Sequence, residues 1–226
     1  MGPMTASRYR MRFEKREALR FISHHDLMRV FELALRRSGL KVAHTQGFNP
    51  HPKVSFALAL PLGVESLDEI VDIDIEHEGE PPAPNDVVSQ LAAVMPEGLR
   101  LLSAEISEGR PRVTAIEYEC ELPPDYAELT ELQARLDAFL SSSTHPFTRE
   151  RGKGKAPRSF DARAHTDGAR LDGRVLKMRL LFGPEGGMKP SDLLQILQLD
   201  PNRHLVTKTK TILAELLDTT DAESSN

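Results

Sequence analysis

The chain has 226 residues, 39% hydrophobic and 28% charged, with a formal net charge of −5. That composition supports a buried core and excludes both a disordered class and a wholly basic nucleic-acid binder, while leaving room for a local basic patch. Cys120 is the only cysteine, which excludes an intrachain disulfide framework and a multi-cysteine zinc or iron–sulfur site. No apolar run approaches the length of a membrane span, and the start lacks the apolar core of a signal peptide. The expectation is a cytoplasmic protein with no membrane association and no cofactor of its own.

In chain order, residues 8–15 alternate. Tyr9, Met11 and Phe13 point one way and Arg8, Arg10 and Arg12 the other, which predicts a half-buried strand. A helix over 24–38 follows. Ser23 caps it, Leu27, Phe31, Ala34 and Leu35 form its apolar stripe, and Gly39 stops it. "LKVAHT" reads as a short strand, and "GFNPHP" as a loop feeding a buried apolar strand, "KVSFALAL". Residues 68–77 alternate Ile70, Val71, Ile73 and Ile75 with acids, giving a third strand whose acidic side faces solvent. A helix capped by Asn85 and a closing strand near 99–107 complete the first half.

A polar hinge over 108–115 separates this half from a second in which the order restarts. The second half reads as strand, helix, two arms around a Gly-rich turn, strand, a short helix capped by Ser191, and a last strand. The expected class is α+β, with two tandem ferredoxin-like (split βαβ) units and antiparallel sheets. The expected units are 8–107 and 114–216, with a disordered tail at 217–226. The order of elements also looks like the RAMP-type RNA-processing fold, an analogy of fold only.

Two segments carry candidate chemistry. "RERGKGKAPRSFDAR" concentrates cations in an acidic chain: Arg149, Arg151, Lys153, Lys155, Arg158 and Arg163. Glycines between them expose backbone N–H groups, so the turn is suited to phosphates, with RNA as the expected ligand. Arg12, Arg16, Arg20, Arg36 and Lys53 extend the patch if the two sheets lie side by side. The second segment joins the helix start to the loop and predicts a pocket of His24, Asp26, Gln46, Phe48, Asn49, His51 and Lys53. Pro50 and Pro52 restrict the backbone on either side of His51. His24 and His51 are the candidate acid–base residues for an alternative reading, a metal-independent ribonuclease. No HExxH or HxH spacing is present, and no metal site is expected. Cys120 reads as a buried, inert thiol.

The stretches "RFISHHDLMR", "QGFNPHPKVSFALALPLGVES" and "RERGKGKAPRSFDAR" resemble a family of radical-SAM-linked proteins of unknown function. The likeness is close over residues 8–106 and looser over 116–213. The paired His24 and His25 stand where that family usually has one histidine. Its members occur beside, or fused to, a radical SAM enzyme, so the resemblance implies such an enzyme as partner. A radical SAM cluster needs three cysteines and this chain has one. The implied role is therefore a non-catalytic accessory that binds RNA, with a pure protein–protein adaptor as the other alternative.

Overall fold

The structure is a computed structural model that describes residues 4–150, 152, 154–183 and 186–214. Arg151, Lys153 and the tail 217–226 lie outside the described residues. The first half contains β1 (Met4–Lys15), α1 (His24–Ser38), β2 (Val54–Phe56), β3 (Glu65–Glu78), α2 (Pro84–Ala92) and β4 (Leu99–Ile106). The second contains β5 (Val113–Glu121), α3 (Leu129–Ser141), β6 (Pro146–Arg149), β7 (Arg158–Asp161), β8 (Thr166–Asp172), β9 (Val175–Gly183), β10 (Gly186–Gly187), α4 (Pro190–Ile196) and β11 (Val206–Leu213). Among the described residues no helix is long and apolar enough to cross a membrane.

The fold is mixed α+β. Nine strands form one sheet in the order β10-β9-β5-β11-β3-β1-β4, with β2 also on β3 and β8 also on β9. Neighbours are antiparallel except β11 and β3, which run parallel through Thr207↔Glu65 and Lys208↔Ser66. That parallel contact joins the two halves into a single sheet. Strands β6 and β7 form a separate hairpin.

In the first half, Tyr9, Met11 and Phe13 are fully buried with Val71, Ile73, Phe31 and Leu35. The Tyr9 hydroxyl donates to the Pro82 carbonyl at 2.6 Å, so its one polar atom is satisfied. Helix α1 forms where its pattern predicts. The Ser23 side chain accepts the Asp26 N–H, and Gly39 ends the helix at φ 76°. Helices α2 and α4 start differently from expectation. Pro84 and Pro190 occupy their first turns, which moves the caps back to Ala83 and Lys189. Proline is well placed there, because its missing N–H has no helical partner in any case.

The acidic side of β3 is not a solvated face. Asp68, Glu69 and Asp72 are buried, Asp68 and Asp72 because arginines of β1 reach them and Glu69 because Lys208 of β11 does. Arg8 donates to Asp74 at 2.8 Å, Arg10 to Asp72 at 2.9 Å and Arg12 to Asp68 at 2.7 Å. The Gly109 carbonyl of the hinge accepts from both Arg8 and Arg10. Alternation gave the right faces, but not the fact that each face meets its complement across the strand pair.

The apolar run after "GFNPHP" is also not one buried strand. Only Val54–Phe56 pairs with β3. "LKVAHT" contributes two isolated bridges, at Val42 and His44, and no strand. The run then leaves the first core, where Val54 and Phe56 pack. Ala57, Leu58 and Leu60 lie on the second core instead, and Val64 is buried in it. Residues 57–63 are thus a strap from one half to the other.

At the seam, the Lys208 ammonium donates to Glu69 at 2.7 Å, and both side chains are at most 3% exposed. The Asp68 carboxylate accepts the Thr211 N–H at 2.7 Å, and the Asp68 carbonyl accepts the Thr211 hydroxyl. Lys15 is buried close by, and burial lowers its pKa, partly offset by Glu69. Removing one partner of such a pair strands a buried charge. Lys208→Ala is expected to lower unfolding free energy by about 3–5 kcal/mol in denaturant titration, and Lys208→Met with Glu69→Leu to recover most of that loss.

Candidate functional site

The strap runs from β2 to β3. The Ala57 N–H still donates to Ile70 at 3.0 Å, and the Gly63 N–H donates to Arg20 at 2.9 Å. Gly63 takes φ 81°, a conformation that other residues rarely adopt, and turns the chain into β3. Between these points Leu58 and Leu60 face the second half and Leu62 faces solvent.

Opposite the strap stands the arm formed by β6 and β7. Phe147 and Phe160 pack edge to face across it, 5.7 Å between centroids. The arm is tied down twice. At its base Asp161 accepts the His145 and Arg163 N–H groups, and these backbone donors, His145 foremost, hold its carboxyl below the usual range. Further along, Arg149 binds the buried Asp192 of α4 through both Nε and Nη2, and also donates to the Gly187 carbonyl. The planar guanidinium suits this two-point grip.

Strap, arm, β5 and residues of β9 and β10 border a cavity of about 310 Å³. Leu58, Leu60, Ile116, Phe182 and Met188 supply its apolar walls, and Tyr118 with Arg149, Arg158, Lys189 and Lys208 supply the polar ones. Burial, and then Glu69, raise the Tyr118 pKa, so the phenol stays protonated. Arg149 and Lys208 are engaged by Asp192 and Glu69. Arg158 and Lys189 have no ion pair among the described residues. The Arg158 guanidinium lies 5.8 Å from the Phe160 ring centroid. Two glycines make this possible. A Cβ on Gly187 would sit 2.6 Å from the Leu181 carbonyl oxygen, and Gly186, at φ +86°, leaves room for Arg158.

The structure gathers part of what the sequence singles out. Arg149 and Arg158 line the cavity with the strap, so the two separate motifs meet there. Arg163 turns away. It donates to the Thr166 carbonyl at 2.8 Å and lies over the Phe139 ring, with its buried Nε unpartnered. Lys155 is exposed at the arm's turn. Arg151 and Lys153 fall outside the described residues.

The second predicted set is not gathered. His24 packs on Phe56, 5.3 Å between centroids, on the helix side of the sheet. Asp26 is exposed. The Ser23 hydroxyl, donating to it at 2.7 Å, holds its carboxyl below the usual range. Gln46, Phe48, Asn49 and His51 are exposed in a projecting loop, closed by Thr45–His51 bonds at 2.9 and 3.1 Å. Lys53 is on the other face of β2, at a hollow of about 240 Å³ with Arg8, Asp72 and Asp74. Alternation along β2 separates Lys53 from His24, because successive side chains take opposite faces. Among the described residues no three His, Cys, Asp or Glu are grouped to hold a metal ion.

The proposed extension of the basic patch is charge-balanced at its arginines, while Lys53 has no ion pair among the described residues. Arg12 binds Asp68, Arg20 binds Glu65, and Arg16 and Arg36 lie 3.9 Å from Glu14 and Glu32. The open face of β8 and β9 is balanced too, through Lys177–Asp172 and Arg179–Asp167. Sequence reading missed Lys189, Lys208 and Tyr118. For Lys208 a signal existed: it shares the inward face with Val206 in "VTKTKTIL", where a cation is out of place without a buried acid.

Residues 8–190 match the family described as "Uncharacterized protein conserved in bacteria (DUF2344)". The chain belongs to this family. No curated protein matches the sequence. Among solved structures, the crystal structure of an unknown protein from Galdieria sulphuraria is similar at 12% identity, covering 92% of this chain and 99% of that one, with a TM-score of 0.29.

Cys120 is fully buried in the second core. Burial pushes its thiol up to about 12, so at neutral or mildly basic pH the reactive thiolate is scarce. Native protein is expected to resist iodoacetamide at pH 8 and to label fully once unfolded, as read by intact mass.

Proposed function

We propose that this protein is a non-catalytic accessory that binds RNA along the basic arm and the cavity beneath it, and presents that RNA to a radical SAM enzyme. The observation that carries this reading is the cavity itself. Arg158 and Lys189 stand at it with no acid partner among the described residues, in a chain whose other described arginines near the seam are mostly paired. Tyr118, Phe160 and Phe182 lie in or beside it. Cations with a few rings suit an unpaired strand, whose splayed bases and phosphates are both accessible. The radical SAM partner comes from the family resemblance alone.

The strand order supports a finer reading of the fold. In the first half the sheet runs β4-β1-β3-β2, and in the second β11-β5-β9-β8. Each places the fourth strand beside the first and the second beside the third, the order of a split βαβ unit. We read the chain as two such ferredoxin-like units in tandem, like RAMP-type RNA-processing proteins in element order.

The histidine ribonuclease has less support, since His24 packs on Phe56 while His51 projects on an exposed loop. Labelled oligouridylate tests both readings. Its affinity is expected to fall steeply with salt, with a slope of about −2 if three cations such as Lys155, Arg158 and Lys189 contact phosphates. Arg158→Ala should reduce that slope by about 0.7. No measurable binding at low salt, or binding indifferent to salt, defeats the RNA reading. RNA cut in the presence of a chelator would replace the accessory with the nuclease.

A further inference from the structure

A second concavity lies on the other side of Pro61. It is a groove of about 670 Å³ between the 3-10 turn Glu17–Phe21, the end of the strap, the start of α4 and the loop before β11. Three large apolar side chains from three of these segments converge on it, and all are open to solvent: Phe21 63%, Leu62 65% and Leu205 41% exposed. Single exposed leucines are ordinary, but a cluster rimmed by charge marks an interaction surface. None of the three is needed to fill either core.

The charged lining is of one sign. Arg20, Lys189 and Arg203 border the groove, and among the described residues no Asp or Glu does. Glu65 holds Arg20 from outside at 3.3 Å, and Asp200 lies 3.9 Å from Arg203, which stays 83% exposed. Lys189 has no ion pair among the described residues. The apolar lining does not suit nucleic acid. Leu62 and Leu205 are aliphatic, and one face of the Phe21 ring carries the Arg20 guanidinium at 4.6 Å. Of the other described lining residues only His204 has a ring, and it is half-buried, so the surface for stacking a base is small beside the leucines.

We infer that this groove docks a short segment of a partner protein, one that carries leucine or phenylalanine between acidic residues. The apolar side chains of the segment cover Leu62 and Leu205, and its carboxylates meet Lys189 and the exposed Arg203. Complementary charge speeds such an encounter and orients it, while the apolar contacts hold it. The site is separate from the RNA reading and stands or falls without it.

The test uses the full chain and a fluorescein-labelled peptide of alternating Asp with Leu and Phe. A control peptide carries Lys in place of Asp. Fluorescence anisotropy is expected to show saturable binding of the acidic peptide, at least about tenfold tighter than the basic one. Leu62→Asp, Leu205→Asp and Arg203→Glu should each weaken it about tenfold or more, with unchanged thermal unfolding and unchanged oligouridylate binding. Equal binding of the two peptides overturns the proposal, as does an affinity that Leu62→Asp leaves intact. Displacement of the acidic peptide by oligouridylate that persists in Arg158→Ala, whose cavity no longer holds RNA, also overturns it, and assigns the groove to nucleic acid. Loss of oligouridylate binding in Arg158→Ala, with peptide binding retained, bears on the RNA reading alone.

Discussion

The arrangement depends on a small patch of buried charge where β11 meets β3. Lys208 satisfies Glu69 there, and Thr211 satisfies both the carboxylate and the carbonyl of Asp68. These groups lie 139 and 143 positions apart in sequence, and none is left in water. A buried pair of this kind adds little net stability over an apolar substitute, but a half-made pair is costly. Any slip of β11 along β3 would leave Glu69 and Asp68 without donors. The register of the only parallel contact among the described strands is thus tied to polar satisfaction rather than to apolar packing. The strap, the cavity floor and the groove all follow from that register, since Lys208 lines the cavity and the loop before β11 lines the groove.

The same economy of charge runs through the first half. The arginines of β1 and the acids of β3 neutralise one another in a ladder, Arg8 with Asp74, Arg10 with Asp72 and Arg12 with Asp68. Sequence lists these as six charges, whereas the local field sees almost none. What remains to act on a ligand is therefore far smaller than the 29 basic residues suggest. Arg158, Lys155 and Lys189 matter because no described acid cancels them, in a protein that is acidic as a whole.

Much of this was legible from residue order. Periodicity placed α1 with its cap and stop, and set Tyr9, Met11 and Phe13 against Arg8, Arg10 and Arg12, because those signals are local. The strap was not legible. Residues 54–62 form an apolar run that looks like one strand, and nothing local says that Phe56 and Leu58 belong to different cores. Burial of the acids on β3 was hidden for the same reason, since it depends on a partner strand some sixty positions away in sequence. In the site, the arm was visible as a run of cations. Which of them remain available was not, because Arg149 is claimed by Asp192 and Arg163 by Thr166 only in three dimensions.

The strap gives the molecule its logic as a binder. Pro61 is a wall of both concavities, and Lys189 borders both. On the inner side Leu58 and Leu60 are held by the second core; on the outer side Leu62 is held by nothing. Its ends are fixed by backbone bonds, at Ala57 to Ile70 and at Gly63 to Arg20. Between them the Pro61 carbonyl accepts the Val64 N–H at 3.4 Å, and its ring nitrogen offers no N–H that the fold must satisfy. The strap is therefore a wall fixed at both ends, with one face turned to each concavity.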